Sequence, residues 1–351
     1  MLNIKKVFYE NKKPLNENST ILVTGGAGFI GSAVIWELNN LGVTQIDVCD
    51  KLGKGDKWLN LRPLKFRSYI ELNELIKLMN TNVKLNYDYV FHLGACVNVI
   101  EQDMEYLINN NYKFTCDLAN KVIDNGAKFI YASSASTYGE YSLPFSDDEE
   151  FLSTLRPLTK YGYSKHLIDI NMYMKGGFEN LGVVALKYSN VFGANEYHKD
   201  NMKSMILKNY EQIKEHNYAT LYNSSNPLYE DGEQLRDFIY IKDVAKMTVF
   251  FATEKGMNLC GTYNIGSGHA MTGDDLTKII FKYLNKPIDI RYIDMPQELL
   301  ESYPYYTCLD IQKIKMAGYN EKMFTIEEGI KDYFKYLNCK NGYKRLGEEN
   351  E

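Results

Sequence analysis

Ile21-Leu22-Val23-Thr24-Gly25-Gly26-Ala27-Gly28-Phe29-Ile30-Gly31 is the stretch on which the reading of this 351-residue chain turns. Its first four residues suit a short strand buried on both faces. Glycines at Gly25, Gly28 and Gly31 permit a tight turn and let backbone N–H groups approach an anion at the positive end of a helix. That helix is expected over Ser32 to Leu41, with Gly42 as its C′ residue. Thr44 to Cys49 reads as the next strand, ending on Asp50, where a carboxylate hydrogen-bonds an adenosine ribose. A glycine triplet alone also marks ordinary turns. The strand before it, the helix after it and Asp50 at the next strand end make it a dinucleotide loop. Lys51, Lys54 and Lys57 follow at once. A carboxylate disfavours a 2′-phosphate and ammonium groups neutralise one, whereas a solvated basic loop does neither, so these residues leave NAD and NADP both open.

Outward from that loop, strands are expected at Tyr87–His92, Lys128–Ala132 and Val183–Tyr188, with helices at Leu72–Met79, Met104–Asn125 and Ser164–Met174. Strands alternating with helices predict an α/β chain built on a doubly wound parallel sheet of Rossmann type. From about residue 193 polar stretches such as Tyr222 to Gly232 break the alternation, which predicts a smaller C-terminal substrate-binding lobe. The expected organisation is a polar leader at 1–19, a dinucleotide-binding domain at 20–190, a lobe interleaved with the last sheet elements at 191–337, and a polar tail at 338–351 expected to fray. A last helix should present Ile326, Ile330, Tyr333, Phe334 and Leu337 on one face.

Composition narrows the classes. A net charge of −5 provides no positive field for phosphate backbones, so nucleic acid is not an expected partner. No apolar run reaches the roughly 18 residues needed to span a membrane. The polar opening lacks the apolar core of a signal peptide, and six scattered Cys with no CxxC pair read as reduced thiols, so a cytoplasmic chain is expected. His92, His166, His216 and His269 share no metal-ligand spacing and read as structural; no metal is expected.

Two further segments carry chemistry. Tyr131-Ala-Ser133-Ser134-Ala135-Ser136-Thr137-Tyr138-Gly139 ends a strand, and Tyr161-Gly-Tyr163-Ser-Lys165 opens a helix. Tyr161 and Lys165, four apart, are neighbours on one helical face. An ammonium beside a phenol lowers the phenol's pKa, making a tyrosinate base accessible near neutral pH, and Ser134 is placed to hydrogen-bond a reacting oxygen. In a chain with 29 Tyr such a pair also arises by chance; the dinucleotide loop and the strand end give it meaning.

TGGAGFIGS, YASSASTYG and YGYSK together resemble the extended short-chain dehydrogenase/reductase superfamily, over about Thr20 to Leu337. Dehydratases of that superfamily carry Thr-Asp-Glu where this chain has Ser134-Ala135-Ser136, which argues against dehydration. Ser189-Asn190-Val191-Phe192-Gly193 leading into Glu196-Tyr197-His198-Lys199-Asp200-Asn201-Met202 is similar to the ADP-L-glycero-D-manno-heptose 6-epimerases, as are Phe91-His92-Leu93-Gly94-Ala95-Cys96, Asn109-Asn110-Asn111-Tyr112 and Arg236-Asp237-Phe238-Ile239-Tyr240.

The resemblance implies epimerisation of a nucleotide-activated heptose at C6, by transient oxidation with bound NADP or NAD, for supply of lipopolysaccharide or surface-polysaccharide heptose. Ser134, Tyr161, Lys165 and Lys199 would be catalytic, Lys199 as the second base; on its own Lys199 reads as a solvated loop amine. Cofactor contacts would come from Gly25, Gly28, Phe29, Ile30, Gly31, Asp50, Lys51, Lys57, Leu93, Gly94, Ala95, Cys96, Asn110, Lys165 and Val191. Substrate contacts would come from Ser134, Asn190, Asn201, Lys208, Tyr222, Ser225, Arg236 and Tyr303. A homo-oligomer is expected.

The chain departs from the family pattern at Lys187 in the strand before Ser189, at Asp200-Asn201, at Lys208 where the family has His, and at Tyr222 to Ser225 with the extra residues that follow. Two other readings stay open: an epimerase or reductase acting on another NDP-hexose or NDP-heptose, and a non-catalytic dinucleotide-sensing protein on the same fold.

Overall fold

The computed structural model describes residues 5–6, 13–139, 145–179, 181–300, 303–339 and 342–348. Seven parallel strands lie in the order β11-β7-β6-β5-β2-β3-β4. They are β2 (Ile21–Thr24), β3 (Ile46–Asp50), β4 (Ser68–Glu71), β5 (Tyr89–His92), β6 (Lys128–Ser134), β7 (Val183–Tyr188) and β11 (Leu259–Ile265). Alternate residues feed two cores. Ile21, Val23, Val48 and Phe91 pack against Ala33, Val34 and Leu38 on one face. Leu22, Cys49, Val90 and Phe129 meet Leu118, Val122 and Ile168 on the other. Each such aliphatic side chain, buried completely, contributes about 1.5–3 kcal/mol.

Strand order reverses between β2 and β5, and the loops leaving those two strands open a cleft at the carboxyl ends of the sheet. The helix Phe29–Asn40 begins three residues before the expected Ser32, with Gly28 at its N-cap and no side-chain cap bond. Its first N–H groups are therefore left for a ligand. At its far end Val43 N–H bonds Leu38 O and Gly42 N–H bonds Asn39 O, the paired closure expected of a left-handed C′ glycine.

The other boundary differences have local causes. Thr159 caps the helix Lys160–Met174 by accepting from Gly162 N–H, so that helix starts before Ser164 and Tyr161 falls in its first turn. β6 runs on to Ser134 because it pairs with β7 through Tyr188. The helix expected over Met104–Asn125 is interrupted by a π-turn at Ile108–Lys113, where Asn111 points inward. Its side chain accepts from Cys96 N–H and donates to the Cys96 carbonyl and the Ser164 hydroxyl. A local i→i+5 turn gives the inserted residue this direction.

Two smaller sheets accompany the parallel one: β8 (Asn190–Phe192), β10 (Leu235–Tyr240) and β12 (Ala270–Thr272) form the first, and β9 (Ala219–Tyr222) pairs with β13 (Ile290–Ile293) in the other. The last helix, Ile326–Leu337, opens on a capping box between Thr325 and Glu328 and buries Ile330, Tyr333, Phe334 and Leu337.

The described parts of both ends are held by the fold, and the tail corrects an expectation. The leader contributes β1 (Lys5–Lys6), antiparallel to β11 at the sheet edge, and Leu15 N–H bonds Ala252 O. The tail does not fray over 342–348. Leu346 is fully buried, Arg345 stacks on the Tyr197 ring, and Glu348 pairs with Arg62. The rest of the leader and tail lies outside the described residues. Among the described residues no helix is long and apolar enough to cross a membrane, and no His, Cys, Asp and Glu cluster is arranged to hold a metal ion.

Candidate active site

The glycine loop has the shape a dinucleotide requires. Gly25 takes φ of +66°, and a Cβ there would stand 2.6 Å from the Gly94 Cα, so β2 and β5 can approach only as glycines. A Cβ on Gly31 would stand 2.1 Å from Gly25 O, which is why the helix packs so close under the turn. Asp50 closes the cradle from the next strand. Its carboxylate accepts from Ala27 N–H at 2.9 Å, from Lys51 N–H at 2.6 Å and from Lys57 Nζ at 2.6 Å. The cradle, the uncapped helix end and the acid beside them fit an adenosine diphosphate moiety.

Further along the cleft, Phe29, Ile30, Leu93 and Val191 line the space beside the glycine loop, whereas Ala95 and Cys96 sit on the loop after β5. Asn110 donates to Asn111 Oδ1 at 3.1 Å, beside that same loop. His92 bridges Thr24 Oγ1 and Thr115 Oγ1 at 2.6 and 2.8 Å. Burial brings it down to about 3, so it remains a neutral strut, as a structural reading requires.

The cleft, about 640 Å³, gathers Ser134, Tyr161, Lys165, Asn190, Lys199, Asn201, Lys208, Tyr222, Arg236 and Tyr303. Ser134 leaves β6, Tyr161 and Lys165 rise from the first turns of one helix, and Lys199 comes from the loop after β8. Burial pushes the Tyr161 phenol up to about 12, against a hydrogen bond with Ser134 that pulls it down. Burial also brings Lys165 down to about 8, with Asp169 opposing. Lys165 Nζ donates to Ala132 O at 2.8 Å. The expectation that Lys165 lowers the Tyr161 phenol is therefore not met in this chain. The cost of burying a phenolate dominates, and the lysine spends a proton on a backbone carbonyl.

Lys199 is not a solvated loop amine. It is partly buried, with Nζ 5.0 Å from the Phe29 ring centroid. Burial draws its pKa down, Glu196 opposes that shift and Lys208 adds to it. Glu196 is wholly buried and closes the loop by accepting from Gly193 N–H, Ser204 N–H and the Ser204 hydroxyl. Arg236 stacks on Tyr303 with 4.7 Å between guanidinium and ring centroid, and Tyr222 meets the Tyr303 ring edge-on at 6.0 Å. Ser225 is the expected substrate residue that the structure does not bring into the cleft. The extra residues after it fold into a turn of their own, in which Ser224 N–H bonds Asp231, and Ser225 lines that separate surface hollow.

Lys187, a departure from the family pattern, is buried in the sheet. It pairs with Asp169 at 2.9 Å and donates to Thr137 Oγ1 at 2.5 Å, bracing the strand end that carries Ser134. Asn209, Gln212 and Gln234 also face the cleft and were not singled out from the sequence. Lys208 and Gln212 share a helical face, so the i, i+4 spacing was the available signal.

A pyrophosphate cradle leading to a serine, a tyrosine and a lysine defines a nicotinamide-dependent enzyme of the short-chain dehydrogenase/reductase class. The chain belongs to the NAD dependent epimerase/dehydratase family, whose family model matches residues 21–266. A relative from Fusobacterium nucleatum named ADP-L-glycero-D-manno-heptose-6-epimerase is 40% identical, covering 92% of this chain and 99% of its own. A protein of the same name from Nitratidesulfovibrio vulgaris strain DP4 is 39% identical, covering 89% of this chain and 96% of its own. The solved structure of the Helicobacter pylori protein of that name superposes with a TM-score of 0.73 at 28% identity, over 91% of this chain and 96% of the other.

Proposed function

We propose that the chain interconverts ADP-D-glycero-D-manno-heptose and ADP-L-glycero-D-manno-heptose by transient oxidation at C6. Its product would supply heptose for lipopolysaccharide or another surface polysaccharide. The observation that carries this reading is that two proton-bearing groups on different elements, Tyr161 and Lys199, face one cleft beside the dinucleotide cradle. Inverting a carbinol requires removal of a hydride from carbon and a proton from oxygen, then return of the hydride to the opposite face of the ketone carbon and of the proton to its oxygen. A one-way dehydrogenase needs a single base; an epimerase gains from two. The names of the relatives support this choice of sugar and nucleotide.

In this reading Gly25, Gly28, Gly31 and Asp50 hold the adenosine diphosphate, and the nicotinamide end supplies a reversible hydride acceptor. Lys165 stands beside it, and Ser134 and Tyr161 bind the C6 oxygen. Asn190, Asn201, Lys208, Arg236, Tyr222 and Tyr303 hold the nucleotide sugar. NADP is the favoured cofactor because Lys57 already neutralises the Asp50 carboxylate that would repel a 2′-phosphate. The chain acts in the cytoplasm, where nucleotide sugars and reduced thiols coexist. It works as a homo-oligomer through apolar side chains exposed on two helices, among them Tyr106, Tyr163 and Met174; a monomer mass by light scattering would refute this.

The test of function mixes purified protein with a panel of nucleotide sugars and follows each by NMR. The expected result is interconversion of the two ADP-heptoses, with a dinucleotide of the mass of NADP released on denaturation. Epimerisation confined to another NDP-hexose or NDP-heptose would move the assignment to that substrate. A protein that carries no dinucleotide, and is stabilised by neither NAD nor NADP, would overturn it.

A further inference from the structure

Four residues before Lys199, the loop after β8 passes through Asn195, which is fully buried and holds φ of +80°. Three of its polar groups are committed, each to a different part of the chain. Nδ2 donates to Ser32 Oγ in the first turns of the glycine-loop helix at 2.9 Å. Oδ1 accepts from Leu346 N–H in the C-terminal tail at 3.0 Å. Its carbonyl accepts from Asn60 Nδ2 at 3.0 Å, and that amide also reaches Ala27 O in the glycine loop at 3.0 Å. Ser32 in turn donates to the carbonyl of Phe29, the residue whose ring lies under the Lys199 ammonium. From the tail side, Tyr197 OH donates to Lys344 O at 3.0 Å.

We propose that Asn195, clamped by Ser32, Asn60 and the tail at Leu346, is a positioning residue that sets the place of Lys199 relative to the cofactor cradle. The inference rests on the reading of Lys199 as the second base. A loop fixed only at its ends would let a long lysine side chain wander. Three hydrogen bonds on one buried residue, to the glycine-loop helix, to the Asn60 amide that also holds Ala27, and to the C-terminal tail, remove that freedom. Misplacing a catalytic group by about 1 Å can cost on the order of 10²-fold in rate. The tail segment is thus a working part of the site, although it lies about 150 residues further along the chain.

Asn195→Gly tests this, because glycine keeps the left-handed backbone at little cost while deleting the side-chain clamp. Single-turnover reduction of the bound cofactor is followed with each ADP-heptose epimer, for wild type, Lys199→Met and Asn195→Gly, with bound dinucleotide and melting temperature recorded. Amide exchange over residues 193–204 is measured in parallel. The expected result is that Asn195→Gly slows the half-reaction that Lys199→Met abolishes by about 10-fold, leaves the other within about 3-fold, keeps its dinucleotide and speeds exchange in the loop. Equal slowing of both half-reactions, or of neither, would overturn the positioning role. If Asn195→Gly melts too low to assay, Ser32→Ala removes the same bond from the other side, and the same asymmetry decides. Symmetric loss in Lys199→Met itself would instead remove the second-base reading and leave Tyr161 as the assigned base.

Discussion

Tyr161→Phe is expected to lower epimerisation by about 10²-fold or more, the usual worth of a positioned acid–base group, while the protein melts close to wild type. The ring fills a site that is almost fully enclosed, and Phe keeps that packing. The hydroxyl it removes has Ser134 as its protein partner, and Ser134 faces the cleft, where water can replace the lost bond. The pH dependence separates loss of a base from loss of binding. With the phenol pushed up to about 12 by burial, the tyrosinate fraction grows about tenfold for each pH unit below that value. The half-reaction that uses Tyr161 should therefore rise with pH between about 6 and 8 in wild type, and the rise should be absent in Tyr161→Phe. Stopped-flow absorbance of the reduced nicotinamide, run with each epimer across that range, measures both effects. Turnover near wild type, or an unchanged pH slope in the variant, would place the base elsewhere.

The chemistry near this tyrosine was legible because it is local. Glycines three apart after a strand, and Tyr161 four before Lys165, are spacings that local backbone geometry turns into a loop and a helical face. The strand β7 and the helix Leu72–Met79 lie where apolar periodicity placed them. What failed had a tertiary cause. The effect assigned to Lys165 requires knowing that its amine meets the Ala132 carbonyl and that the phenol is buried. Ser225 left the cleft because residues past it close a turn on Asp231. The frame around Asn195 was invisible for a related reason: its partners Asn60, Ser32 and Leu346 lie 135, 163 and 151 residues away. A polar tail carries no periodicity to announce that one leucine in it is buried. Lys187 shows the converse, since a lysine inside an apolar strand breaks the pattern until Asp169 is found opposite.

Lys199→Met should all but abolish epimerisation yet leave half of the chemistry running. Methionine approximates the length and volume of the lysine stem and its thioether packs well on an aromatic ring, so it replaces the ammonium that lies 5.0 Å from the Phe29 ring centroid without opening a cavity. In wild type that amine is poised between two charges. Burial draws its pKa down, Lys208 adds to the shift, and the buried Glu196 opposes it. If Tyr161 serves one C6 epimer and Lys199 the other, the variant should still reduce its bound cofactor in a single turnover with the first epimer. With the second it should fall by about 10²-fold or more. Steady-state conversion needs both steps and should fall by the larger factor in either direction. A lysine that only binds diphosphate predicts a different pattern: KM rises for both epimers, both half-reactions slow alike, and higher substrate concentration restores them. Single-turnover absorbance with each epimer, repeated at several substrate concentrations, tells the two apart. Tyr161→Phe supplies the internal control, because it should silence the epimer that Lys199→Met spares. Loss of the same epimer in both variants would mean that one proton path serves both half-reactions, and the two-base reading would fall while the dinucleotide site stood.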